Sequence, residues 1–209
     1  MSVLNNMEWR YATKRMNGQK IPAEKLENIL KAIQLAPTSL GMQPFTVFVI
    51  ESAELRAKAA PAISNQPQIT EGSHLIVFAA WKDYSKENVE KYIRNIAKLR
   101  GIPVGSLDGF KTMIDGAIAR QTPEQLLNWN MRQAYIALGF GLVAAANEQV
   151  DATPMEGFDP DALDAVLGLP EKGLRSTVIM ALGYRDAEKD YLSSAAKVRR
   201  NEAELFVRI

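Results

Sequence analysis

Leu26, Ile29, Leu30, Ile33 and Leu35 recur with helical spacing and predict a helix opened by Ile21-Pro22-Ala23-Glu24. Proline suits a first helical turn, and Glu24 and Glu27 favour its positive end. Pro37 ends the helix, and the Pro, Gly, Ser and Thr of residues 36–44 predict a loop. Phe45–Ile50 is β-branched and aromatic, hence a strand, and Ser52 caps a short helix over 53–60. Residues 61–72 read as polar and irregular. His74–Trp81 is apolar at successive positions and predicts a strand buried on both faces. Helices are predicted over 84–100 and 107–120, broken by residues 101–105. Thr122-Pro123-Glu124-Gln125 combines a cap, a proline at the first helical position and a capping-box glutamine, so a helix runs from there to about Asn147. Its second half, residues 134–146, is apolar all round, which predicts burial on every side and an oligomer core. Asp159-Pro160 caps a short helix stopped by Gly168, and residues 176–182 form a further strand before a polar tail. Helices outnumber strands and no Asn-Gly hairpin joins the early strands. The expected fold class is α+β, a single domain over 1–209 with a mixed central sheet surrounded by helices.

Composition narrows the chemistry. The chain has 209 residues, 47% of them hydrophobic and 23% charged, with a net charge of +1. Nothing global draws it to nucleic acid or membrane, and the most apolar run is too short to span a bilayer. The N-terminus has no signal-like stretch, so a cytoplasmic protein is expected. There is no cysteine and a single histidine, His74. Disulfides, thiolate catalysis and cysteine-ligated zinc are excluded, and a histidine metal site or Ser-His-Asp triad is disfavoured. His74 opens a buried strand and reads as a hydrogen-bonded structural residue.

Two basic clusters stand at opposite ends of the chain, Arg10-Tyr11-Ala12-Thr13-Lys14-Arg15 and Lys197-Val198-Arg199-Arg200. If they converge, five or six cations surround one point, a focus suited to a phosphate. If they do not, they are ordinary solvated surface.

What lies between them is a recurring order of segments. Arg10-Tyr11-Ala12-Thr13-Lys14 is followed by Ala36-Pro37-Thr38-Ser39-Leu40-Gly41-Met42-Gln43-Pro44-Phe45, and then by Asn65-Gln66-Pro67-Gln68-Ile69 ahead of Ser73-His74. Pro154-Met155-Glu156-Gly157-Phe158 follows the long helix, and Leu182-Gly183-Tyr184 precedes Lys197-Val198-Arg199. The order and spacing resemble the nitroreductase family of FMN-dependent, NAD(P)H-using oxidoreductases, most closely its bacterial oxygen-insensitive branch.

The resemblance implies that Arg10 and Lys14 bind the FMN phosphate and the flavin edge. Tyr11 and Ala12 would lie along the cofactor, and Lys197 and Arg199 would return to the same phosphate. Pro37, Thr38, Ser39 and Gly41 would come from the partner of a homodimer, placing the site at the subunit interface. Asn65 would hydrogen-bond the pyrimidine side of the ring. Met155, Glu156 and Gly157 would line its other face. Gln68 stands near the ring where the branch often has lysine, Ala12 replaces a frequent serine, and Gly41 a frequent asparagine. The implied activity is a ping-pong transfer of two electrons from NADH or NADPH to nitroaromatics, quinones or similar planar acceptors, with no catalytic side chain required. A flavin-binding protein without turnover, or a relative acting on flavin or a halogenated substrate, is the alternative.

Overall fold

The two longest strands carry the core. β2 (His74–Trp81) and β4 (Leu174–Gly183) are buried along nearly their whole length, flanked by β1 (Phe45–Ile50) and β3 (Asp151–Met155) in the order β1-β2-β4-β3. This computed structural model describes residues 2–209. Side chains alternate across the sheet, as a period of two requires. Ile76, Phe78, Val178 and Met180 pack on one face against Ile29 and Ile33 of α2 (Ala23–Leu35) and Ala134, Ala137 and Leu138 of α7 (Pro123–Asn147). Leu75, Val77, Ile179 and Ala181 pack on the other against α3 (Ala53–Ala59), α4 (Pro67–Glu71) and α8 (Pro160–Leu167). α1 (Val3–Trp9) lies on α7. α5 (Lys86–Arg100) and α6 (Asp108–Ala119) form a satellite cluster around Ile93, Ile96 and Ile114. A short α9 (Glu202–Leu205) sits near the C-terminus.

The α+β class is as expected, with corrections. Every pairing among the described strands is antiparallel, where a mixed sheet was expected. Between β1 and β2 the chain passes through two short helices, not one crossover, and returns at the end where β1 finished, so β2 runs back along it. β3 was not anticipated because Pro154 interrupts its pattern. It is tolerated there because β3 is an edge strand. Residues 61–72 are not irregular throughout. They hold α4, with Pro67 in its first turn, and bury Gln68 and Ile69. α4 is fixed by Arg56, whose buried guanidinium donates to the carbonyls of Ile69 at 3.1 Å, Gly72 at 3.0 Å and Ser73 at 2.9 Å.

The capping box that opens α7 forms as its sequence predicts, between Thr122 and Gln125. Burial of its second half on every side does not hold within one protomer. Ala134, Ala137, Gly141 and Ala145 are covered, but Tyr135, Ile136, Phe140 and Val143 are 37–42% exposed. With Val3 they border an apolar groove of about 690 Å³.

Candidate functional site

The irregular segment 10–15 is held by two carboxylates from distant parts of the chain. Asp190, 2% exposed, accepts from the backbone N–H of Lys14 at 2.7 Å and Arg15 at 3.4 Å, from the Tyr11 hydroxyl at 3.1 Å, and from Leu192 N–H at 2.9 Å. Burial alone would raise this carboxyl, but the four donors outweigh it and hold it below the usual aspartate range. Burial and the Asp190 charge push the Tyr11 phenol up to about 12. Asp151, at the start of β3, accepts from the Thr13 hydroxyl at 3.2 Å, and Thr153 returns its own hydroxyl to the Thr13 carbonyl at 2.7 Å. Asp151 also takes the Arg185 Nε at 2.9 Å and the Arg185 backbone N–H at 2.8 Å. The Arg185 guanidinium lies 4.3 Å from the Trp9 ring centre and 4.6 Å from that of Tyr11. Both distances are within cation–π range.

Against this frame the two basic clusters meet. Trp9, Arg10, Tyr11, Arg185, Lys197 and Arg199 line one cavity of about 360 Å³. Lys197 Nζ donates to the carbonyls of Met7, at 2.6 Å, and of Arg10, where α1 ends. Arg10 Nε is buried without a partner. Burial and then the neighbouring Arg199 lower the Arg10 pKa, and burial, Arg10 and Arg199 together lower that of Lys197. Arg10 and Lys197, lowered by burial and by neighbouring cations, stand in a site short of negative charge. A cavity-lining arginine with a buried nitrogen left unpartnered, among further cations, fits a phosphate.

The convergence is narrower than charge alone suggested. Arg15 is turned away, its Nη2 2.6 Å from Glu71. Lys14 is fixed through its backbone and does not line the cavity, while Ala12 does. Arg185 joins instead, with its charge met by Asp151.

The Arg15–Glu71 pair ties segment 10–15 to α4, which carries Gln68. Gln68 is buried, and its amide nitrogen donates to Gln66 Oε1 at 2.7 Å and contacts Met155 Sδ at 3.5 Å. The expected neighbours Gln68 and Met155 thus meet at the far end of β3 from Asp151. The strand between them spans about 13 Å at the usual rise. Asn65 is exposed and left-handed, at φ 50°, just before α4. Glu156 and Gly157 are exposed beyond β3, and an added Cβ on Gly157 would meet nothing within 4 Å. Glu156 lies beside Tyr135 of α7, whose phenol burial and this carboxylate push up to about 12.

The loop of Pro37, Thr38, Ser39 and Gly41 lies elsewhere. Thr38 Oγ1 accepts from Gln43 N–H at 3.0 Å, Gln133 Oε1 from Ser39 N–H at 2.8 Å, and the Leu40 carbonyl from the Tyr92 hydroxyl at 2.6 Å. Gly41 has φ 70°, and a Cβ there would lie 2.4 Å from the Tyr92 hydroxyl oxygen. A left-handed backbone with no room for a Cβ is a position that glycine fills without strain. Gly41 borders a cavity of about 670 Å³ between α2, β1 and α5 that shares no residue with the Arg10 cavity. One protomer therefore does not bring the loop to the cation cluster.

His74 is buried, with Nδ1 2.8 Å from Ser73 Oγ, and burial lowers its pKa. Asp151, Arg185 and Asp190 were not singled out from sequence. Apart from the Leu192 N–H on Asp190, their side-chain partners lie 34 to 179 residues away, and no local spacing marks them.

The model of the nitroreductase family matches residues 7–184. The chain belongs to the nitroreductase family. The resemblance to this family is borne out, and with it the reading as an oxidoreductase enzyme. A Staphylococcus saprophyticus protein named as an NAD(P)H nitroreductase is 33% identical over 199 residues, covering 90% of each chain. The major NAD(P)H-flavin oxidoreductase of Aliivibrio fischeri is 28% identical over 205 residues, covering 95% of this chain and 94% of that one. The fold agrees with that of a protein from Exiguobacterium sibiricum described as a nitroreductase, in complex with FMN. Its TM-score is 0.84 at 20% identity, over 100% of this chain and 98% of that one. Among the described residues of this nitroreductase-family chain, no helix is long and apolar enough to cross a membrane.

Proposed function

We propose that this chain is a single-domain, FMN-dependent NAD(P)H oxidoreductase that works as a homodimer on nitroaromatics, quinones or similar planar acceptors. One observation carries the reading. Arg10, Lys197 and Arg199 converge on a cavity where the buried Arg10 Nε has no partner. In this reading Arg10, Lys197 and Arg199 hold the phosphate, and Trp9 and Tyr11 brace that end through Arg185. Segment 10–15 and β3 run from the phosphate end to Gln68 and Met155, a span suited to a mononucleotide carrying a ring at its far end. Met155, Glu156 and Gly157 wall one ring face, and the open space over Gly157 leaves room for a close approach to the backbone. Asn65, Gln68 and Lys14 serve the polar ring edge. When bound, FMN supplies a two-electron carrier between the nicotinamide donor and the acceptor that follows it. No side chain need act as a base in hydride transfer, in keeping with a buried His74 and an absence of cysteine.

The dimer rests on the uncovered face of α7 and on the separation of the loop 37–41 from the cation cluster. Packing Tyr135, Ile136, Phe140 and Val143 against a second copy would bury them and bring a partner's loop to the site.

Initial rates with NADH or NADPH varied against a nitroaromatic or quinone test the activity. The expected result is a family of parallel double-reciprocal lines, the mark of a donor that leaves before the acceptor binds. Intersecting lines would contradict the ping-pong order. A flavin-loaded protein that oxidises neither nicotinamide would support a binding protein without turnover.

A further inference from the structure

We propose that Asp190 is a positioning residue that builds the phosphate subsite, so that removing a negative charge weakens the binding of an anion. The inference rests on the assignment of Arg10, Lys197 and Arg199 to the FMN phosphate.

Asp190 lies between β4 and the tail that carries Lys197 and Arg199, on the same stretch of chain as both. Its carboxylate reaches back across the sequence to the other half of the subsite. Oδ2 takes the Tyr11 hydroxyl, 179 residues away, and the backbone N–H of Lys14 and Arg15, while Oδ1 takes Leu192 N–H. Leu192 and Tyr11 both line the cation cavity. One side chain thus joins the segment that supplies Arg10 to the segment that supplies Lys197 and Arg199. The bridge between Met16 and Arg185, the Asp186 N–H on the Arg15 carbonyl at 3.0 Å and the Arg185 stack on Trp9 and Tyr11 join the near ends of the two segments. Asp190 adds the tie on the side of the tail, where the cations repel. A carboxylate among several donors supplies the opposing attraction at a point the ligand does not occupy. The tie farther along the tail, from Lys197 Nζ to the Met7 and Arg10 carbonyls, requires the tail to be in place.

Asparagine at this position keeps the shape and one accepting oxygen but turns the other group into a donor. It would then face the N–H groups of Lys14 and Arg15 or of Leu192 with the wrong polarity. The consequence falls on the phosphate end. The ring end is built by Gln68, Met155 and β3, and Asp190 touches none of these among the described residues.

The test compares FMN with riboflavin, the same ring and ribityl chain without the phosphate, by flavin fluorescence quenching in the apoprotein of wild type, D190N and D190E. Wild type should prefer FMN strongly. D190N should lose about tenfold to a hundredfold of that preference through its FMN affinity, with riboflavin affinity nearly unchanged. D190E, which restores the charge on a longer stem, should recover part of the ratio. It decides the matter alone if thermal melting shows D190N to be unfolded. If D190N weakens both flavins equally, or leaves the ratio at the wild-type value, Asp190 is merely structural and the proposal falls. If wild type itself binds FMN no better than riboflavin, the phosphate assignment has failed, a different result from failure at Asp190 alone.

Discussion

Replacing Arg10 and Lys197 together by alanine lowers FMN affinity by about two to four orders of magnitude. A hydrogen bond to a charged group contributes about 1.5–3 kcal/mol, and each 1.4 kcal/mol is a factor of ten. Two such contacts to one phosphate account for the range. The apoprotein, by contrast, should lose little stability from the Arg10 change. Arg10 carries a buried nitrogen without a partner and is depressed by Arg199, so its removal relieves a strain that only a bound anion would otherwise relieve. The same electrostatics fix the sign of the pH dependence. Burial, Arg10 and Arg199 lower the Lys197 pKa in the free protein. An ammonium with a lowered pKa destabilises the fold while protonated, and that penalty lifts as pH rises through the lowered value. A bound dianion favours the protonated form, so FMN affinity falls as pH rises through the free-protein pKa. The fall begins below the usual lysine range. Flavin titrations of wild type and R10A/K197A across alkaline pH, with thermal melts of the apoproteins, measure both effects. Unchanged FMN affinity in the double variant would remove the phosphate from this cavity.

Phe140→Glu should convert the proposed dimer to a monomer and carry flavin binding away with it. Phe140 is 42% exposed on the face of α7 that also shows Ile136 and Val143, so a carboxylate there remains solvated in an isolated protomer. Across a two-fold interface the same carboxylate appears twice and is buried without a partner each time. Central interface residues lose about 2 kcal/mol or more on truncation alone, and burial of unpaired charge adds to that. Flavin loss follows if Pro37, Thr38, Ser39 and Gly41 serve the partner's site, since in one protomer they share no cavity with Arg10. Size-exclusion chromatography with light scattering, read beside flavin content, separates the two consequences. A monomeric wild type would contradict the dimer. A monomeric F140E that keeps its FMN would confine the site to one subunit.

Much of this architecture was legible because it is local. The Thr122–Gln125 capping box, the stripe of α2 and the continuous apolar run of β2 each declare themselves within a few turns or strand lengths. β3 and α4 did not, because Pro154 hides an edge strand and the polar surface of residues 64–71 hides a helix that buries only Gln68 and Ile69. Apolarity in the second half of α7 was visible, but sequence could not say which face the protomer covers. Sequence charge pointed to the Arg10, Lys197 and Arg199 convergence and overcounted it, since nothing near Arg15 announces that Glu71 will claim it. Asp151 and Arg185 act through tertiary contacts, and so does Asp190 apart from its local bond to Leu192 N–H.

The most direct test is the visible spectrum of the purified protein, with the released chromophore identified and counted. The account predicts an oxidised-flavin spectrum and one FMN per subunit, restored by added FMN after stripping. A colourless protein that ignores added FMN would contradict it and return the two basic clusters to the solvent.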